Sequence, residues 1–370
     1  MPPIIQSNTG HHSIASLLTI TDQTVLDFGL ENIVQTVDAE LAAHNARVAE
    51  MTAVLCEPTA KRGKVYGTSI QGRMERAGEY TRGPTQRSKA GGKVHWPMFK
   101  HQFALGWTRE WFEVKTPADL ALALRQSEFA HIGEIQDEIQ LALYNPQNRT
   151  VRDQFNETDP DYELAVRALL NGDGDPIPSG PNGETFDGGT HSHYLGLAPG
   201  NPAQQLNRKL RELIDTVVEH GHGKGLMLYI NRADESEISA LPDFIPLKPE
   251  YVISGTGTDS VRGTLNMGVL DNRQIGWFHG AEVWTKPWAF TRYPIVVATG
   301  DDRKPLALRR SALASRAGGL RLAGELDTHP MYARYMEDYF GVGANHRTAA
   351  AVLFIGNATY QVPSGLRWLL

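Results

Sequence analysis

At 370 residues, 41% of them hydrophobic, the chain has length for two or three domains with sizeable cores and is not a disordered polymer. A formal net charge of -6 excludes a conventional nucleic-acid binder covered in basic residues, and the single Cys56 excludes an intrachain disulfide or a thiolate zinc cluster. No apolar run approaches the roughly eighteen residues of a membrane span, and the opening MPPIIQSNTGHH lacks a secretory pattern, so an intracellular protein without a membrane role is expected.

Residues 1–25 mix small polar residues with short apolar pairs and read as an extended arm that needs something else to pack against. A helix is predicted over 26–53, where Leu30, Ile33, Val34, Val37, Leu41 and Val48 fall largely on one face. Residues 54–57, which include Cys56 as a small buried hydrophobe, read as a short strand before Pro58. The character then changes. Residues 61–100 carry ten Lys or Arg against two acidic residues, with seven glycines and few large apolar side chains. Such a segment cannot bury a core of its own. Its alternation at Lys64, Val65, Tyr66, Gly67 and Thr68 suits a two-stranded hairpin arm, with a flexible basic loop as the alternative.

Strand-like aromatic density returns over 94–114, with Trp96, Phe99, Phe103, Trp107, Trp111 and Phe112. The strongest single signal follows. Thr116 as N-cap, Pro117 at the first helical position and Asp119 in the first turn start a helix that Asn145-Pro146 ends. At 1.5 Å per residue this rod runs roughly 40 Å. Phe129, Ile132, Ile135, Ile139 and Leu143 are expected along its core stripe, with Glu128, Glu134, Asp137 and Glu138 on the solvated face.

Beyond Pro146 a short helix is expected over 162–170, and every turn signal marks 171–194 as loop. A helix over 202–220, the apolar run Gly225 to Ile230, and strands over 276–284 and 293–298 make 201–320 a mixed α/β region. The chain closes through 331–340, a Gly341-Val342-Gly343 turn and a strand over 348–355, with no internal repeat.

The search for chemistry is largely empty. His191 and His193 share a strand face and, with Asp187 as the nearest carboxylate, invite a metal, but no further motif completes the set. His220 and His222 invite the same idea, which a helix C-terminus explains for His220 without any metal. Asn171, Asp173 and Asp175 open like a calcium loop, yet Pro176 replaces its glycine and Asn182 its closing Glu. Gly255-Thr256-Gly257 lacks the third glycine of a dinucleotide fingerprint, and no nucleophile elbow occurs. No catalytic, cofactor or metal residue is therefore assigned. A metal-dependent soluble enzyme built on His191, His193 and Asp187 is the alternative from another class.

Two stretches carry a resemblance: KVHWPMFKHQFALGWTREWFEV, residues 93–114, running into the long helix, and YFGVGANHRTAAAVLFIGNATYQVP, residues 339–363. With the order of parts, they make the chain resemble tailed-phage major capsid proteins of the Hong Kong 97 fold. The resemblance implies an α+β subunit: an N-terminal arm and helix (1–60), an extended β-hairpin loop (61–112) and a peripheral domain (113–200) with its spine helix over 116–145. An α/β axial domain (201–324) and a return to the peripheral domain (325–370) complete it. It implies hexamers and pentamers in an icosahedral virion shell around double-stranded DNA, assembled in the host cytoplasm. Expected partners are further copies of the chain, a portal, scaffold or decoration proteins, and packaged DNA bound without sequence specificity. An encapsulin-like compartment is the rival within the fold. Candidate inter-subunit contacts are the basic Lys61, Arg62, Lys64, Arg73, Arg76, Arg82, Lys89 and Lys93 and the acidic Glu128, Glu134, Asp137 and Glu138. No separate N-terminal scaffolding domain is expected.

Overall fold

The structure, a computed structural model, describes residues 14–66, 74, 76–83, 91–155, 159, 161–200, 203–247, 250–253, 261–264, 271–300, 304–328 and 331–367. The long helix forms over Pro117–Tyr144 between caps Thr116 and Asn145. Its start is a capping box: Thr116 Oγ1 accepts from the Asp119 amide while the Asp119 carboxylate accepts from the Thr116 amide. The buried stripe differs from the expected one. It runs through Leu120, Leu124, Ser127, His131, Ile135 and Ile139, steps of three or four, which leaves Phe129 71% exposed on the opposite face.

A seven-stranded mixed sheet holds the main core, in the order Tyr194–Leu197, Ala350–Ile355, Ile295–Ala298, Leu226–Ile230, Ala281–Thr285, Arg273–Phe278, Phe244–Pro246. Its inner strands are apolar at successive residues because both faces are covered. Leu228, Ile230, Val296, Ala351 and Leu353 pack on one side with Leu206, Leu210, Leu213 and Val217 of the helix Ala203–Val218. Tyr229, Ile295, Val297 and Val352, the alternate positions, face a cluster containing Ile135, Ile139 and Leu143 of the long helix.

The second sheet is organised by one long strand, Met331–Ala344, which pairs antiparallel with Phe99–Thr108, Arg321–Thr328 and Leu306–Arg310; Cys56–Thr59 adds parallel to the last. Gly341-Val342-Gly343, expected as a turn, lies inside this strand. Its glycines serve close approach: a Cβ on Gly341 would sit 2.5 Å from the Pro97 carbonyl oxygen. The strand is thus able to lie against the segment in which Trp96 Nε1 donates to the Ala344 carbonyl at 3.1 Å.

Other local expectations change. Residues 162–170 hold the strand Glu163–Val166, paired with Arg149–Arg152, where a helix was expected; Leu164 and Val166 are buried at period two. The single strand expected over 276–284 is a hairpin, Arg273–Phe278 with Ala281–Thr285, turning at His279 and Gly280, both at positive φ. The first helix divides into Val25–Phe28 and Leu30–Ala53 around Gly29, whose φ of 96° suits glycine. Within the expected extended arm, Ile14–Leu17 is a helical turn and Leu17 is buried with Val25, Phe28, Leu120 and Leu124, so this part packs on the body of the same chain. Residues 1–13 fall outside the described residues.

Candidate assembly interface

The basic segment leaves the body as a short antiparallel hairpin, Gly63–Val65 with Lys93–His95, extended by a bond from the Tyr66 amide to the Gly92 carbonyl at 2.9 Å. Lys61, Arg76, Arg82 and Lys93 are exposed, while Arg62 and Lys64 are half-buried at the base. Arg62 lies over the Tyr162 ring and 3.5 Å from Asp153; Lys64 Nζ is 2.8 Å from His346 Nε2. Arg62, Lys64, Lys93, His95 and Tyr162 line an open groove there. Arg73 and Lys89 fall outside the described residues.

The base is anchored by a cluster that the motif search did not assemble. Arg347 is 1% exposed, yet its guanidinium donates to the Ala168 carbonyl (2.7 Å), Asp175 (2.9 Å), Asp173 (2.8 Å), Asn171 (3.0 Å) and Tyr66 Oη (2.5 Å). The two carboxylates are balanced by Arg347 and by Arg167, which stands 3.6 Å from Asp173 and 3.3 Å from Asp175, and every donor direction of Arg347 is used. Burial resists ionising Asp173, but the bonds from Arg347, Asn148 and the Asp175 amide together with the Arg347 charge outweigh it and hold the carboxyl below its usual range. The spacing that looked like a calcium loop therefore closes on a guanidinium. It also ties the loop after Leu170 to the root of the arm.

The four acidic candidates on the long helix are not equivalent. Glu134 and Asp137 are half-buried and share Arg367, at 3.2 and 2.9 Å, and Glu134 also meets His101 at 3.1 Å. Glu128 is 3.7 Å from Arg47, with burial and then Glu40 raising its carboxyl. Glu138, expected on the solvated face, is 2% exposed; among the described residues its Oε2 has no hydrogen-bond partner, and burial pushes its carboxyl up. It sits at the turn where the buried stripe widens toward Ile139 and Leu143. A second buried relay joins four elements: His44 Nε2 meets His131 Nδ1 at 2.8 Å, His131 Nε2 meets Asp338 at 3.0 Å, and Arg310 meets Asp338 at 2.7 Å.

The residues of the enzyme alternative separate. Asp187 turns away to accept from the Gly189 amide and Thr190 Oγ1, both at 3.0 Å. His191 and His193 instead meet His220, which the sequence places 27 and more residues away. Burial lowers all three imidazoles, His220 to about 3. Cys56 is buried, and burial pushes its thiol up to about 12, leaving it inert.

Among the described residues the fold is α+β, with a long helix, two large sheets and a basic hairpin rooted on the body. No family model and no curated protein matches the chain. Among solved structures it is similar over 100% of both chains to one from Mycobacterium phage Patience, with a TM-score of 0.67 and 19% identity. A chain of Mycobacterium phage Adephagia (TM-score 0.45, 11% identity, 82% and 89% covered) is also similar. So is the SrpI encapsulin from Synechococcus elongatus (0.42, 11%, 85% and 90%). Those two scores are too low to bear on the fold. The full-length likeness shows it: this chain has the Hong Kong 97-like capsid fold.

Proposed function

We propose that the protein is a major capsid subunit that self-assembles, without catalysis, into an icosahedral shell around double-stranded DNA. The observation that carries this reading is the basic hairpin, which is rooted by buried ion pairs but holds its exposed charges away from any core of its own. In this reading the part of 61–112 that precedes the strand Phe99–Thr108 reaches over a neighbour, 116–145 form the spine of a peripheral domain together with the sheet built on Met331–Ala344, and the seven-stranded sheet, which takes in most of 201–300 and the strand Ala350–Ile355, gathers around capsomer centres. Lys61, Arg76, Arg82 and Lys93 lead the contact from the basic side. Glu128, Glu134 and Asp137 receive a neighbour's arm on the other, exchanging or adding to their pairs with Arg47 and Arg367. Apolar contact would come from Leu122 and Phe129 on the long helix and from the cross-strand pair Ile245 and Trp277 near the sheet edge, all exposed. The net charge of -6 limits sticking to packaged phosphate. Portal, scaffold or decoration proteins and host-cytoplasm assembly complete the proposal; among the described residues no helix is long and apolar enough to cross a membrane.

Size-exclusion chromatography with light scattering, followed by negative-stain microscopy, tests it. Closed shells are expected. Shells that enclose protein instead of DNA in infected or expressing cells would favour an encapsulin-like compartment, and a chain that stays monomeric or dimeric under all assembly conditions would overturn both.

A further inference from the structure

Two neighbouring histidines and a third one 27 residues further on aim the same nitrogen at one point. His191 and His193 precede the strand Tyr194–Leu197, and His220 follows the helix Ala203–Val218, where Gly221 turns the chain at a φ of 88°. Their Nε2 atoms form a triangle with sides of 3.3 Å (191 to 193), 3.0 Å (191 to 220) and 3.1 Å (193 to 220). His193 is fully buried, and its Nδ1 lies 2.7 Å from the Ala350 carbonyl oxygen. A carbonyl only accepts, so Nδ1 holds the proton and Nε2 holds a lone pair.

Hydrogen bonding alone cannot satisfy this triangle. If His191 and His220 both carry Nε2 protons, two N–H groups face each other at 3.0 Å; if one or neither does, lone pairs face each other across at least one side. Extra protonation would place a charged imidazolium beside the buried His193. A single cation resolves all three contacts, because every lone pair then points at it. A tetrahedral ion about 2.0–2.1 Å from each nitrogen separates its ligands by about 3.3–3.4 Å, close to the observed sides. The bond from His193 Nδ1 to Ala350 is the kind of outer contact that fixes the tautomer of a metal-bound imidazole. Glu219 Oε1 stands 3.4 Å from His191 Nε2 and 4.0 Å from His220 Nε2, and the Phe186 ring covers His220 at a centroid distance of 4.3 Å.

We propose that His191, His193 and His220, with Glu219 as the fourth ligand, bind one first-row divalent transition ion, zinc being the ion that three imidazoles and a carboxylate suit best. With four protein ligands the site is closed and structural. It staples the loop before Tyr194 to the end of the helix Ala203–Val218, and it does not depend on the reading of the chain as a shell subunit.

The test uses untagged full-length protein stripped with EDTA, then titrated with zinc sulfate against a chromophoric chelator while melting is followed in parallel. One zinc per chain and a raised melting temperature are expected. His191→Ala and His220→Ala should each weaken zinc by at least about 100-fold, and Glu219→Gln by about 10-fold. His222→Ala is the control, since that ring bonds Thr348 Oγ1 at 2.8 Å and stands outside the triangle; it should keep full affinity. Circular dichroism checks folding before each titration, and Glu219→Gln, at a half-exposed side chain, keeps the test alive if a histidine variant fails it. Absence of chelator-competitive zinc in the wild type, unchanged affinity in the folded ligand variants, or equal loss in His222→Ala would each overturn the site.

Discussion

The mixed sheet and the basic hairpin solve opposite problems. In the sheet, Leu228 and Tyr229 face different clusters and both are buried, so successive residues are used up by the subunit itself. In the hairpin, three residues pair with three, Val65 is 54% exposed, and the apolar anchors Tyr66, Val94 and Trp96 are confined to the root. The sheet carries folding free energy, while the hairpin's exposed charges add little to it and are, in the proposed shell, the groups that meet a neighbour. Arg347 marks the border, since it belongs to the core by burial and to the hairpin through Tyr66.

That contrast can be broken most severely at the border. Arg347→Met removes the buried cation and leaves Asp173 and Asp175 to Arg167 alone, and should cost about 2–4 kcal/mol in urea unfolding. A loss under about 1 kcal/mol would mean that the cluster is solvated and does not anchor the arm.

Acid should act on the subunit core next. Burial and the neighbouring His131 push His44 down to about 4 from its usual 6.5, so between those values the unfolded chain binds a proton that the folded chain refuses. Stability therefore falls as pH drops through that window. Burial opposes ionisation of Asp338, but the His131 bond and the Arg310 charge hold it below the usual carboxylate range; its stabilisation is present above about pH 3.9 and is lost below, as pH falls through the folded value. His44→Asn should flatten the change between pH 7 and pH 5, an effect of about 1–2 kcal/mol read from urea midpoints. An unchanged slope would place His44 in contact with solvent.

The long helix was legible from its ends, because Thr116, Pro117, Asp119 and Asn145-Pro146 are local start and stop signals whose geometry needs no tertiary contact. Its buried face was not. Ser127 and His131 lie in the core stripe as hydrogen-bonded polar residues, so an apolar count skipped them and drew in Phe129. Residues 163–166 failed for a different reason: four residues are too few to separate a period of two from a helical turn. The Arg347 cluster and the histidine triangle join positions 27 to more than 280 residues apart, and no local spacing encodes such closure. Asn345 and Arg347 stood in the closing motif, but only the fold shows that both are buried.

The smallest expected effect on folding belongs to the arm, and it tests the central claim most directly. The triple variant Arg76→Glu, Arg82→Glu, Lys93→Glu changes exposed charges only, so its unfolding free energy should stay within about 0.5 kcal/mol of the wild type. Light scattering on the same samples should show shells for the wild type and dispersed subunits or capsomers for the variant. Shell yields equal to the wild type, or a collapse of the subunit's own stability, would contradict an arm reserved for neighbours.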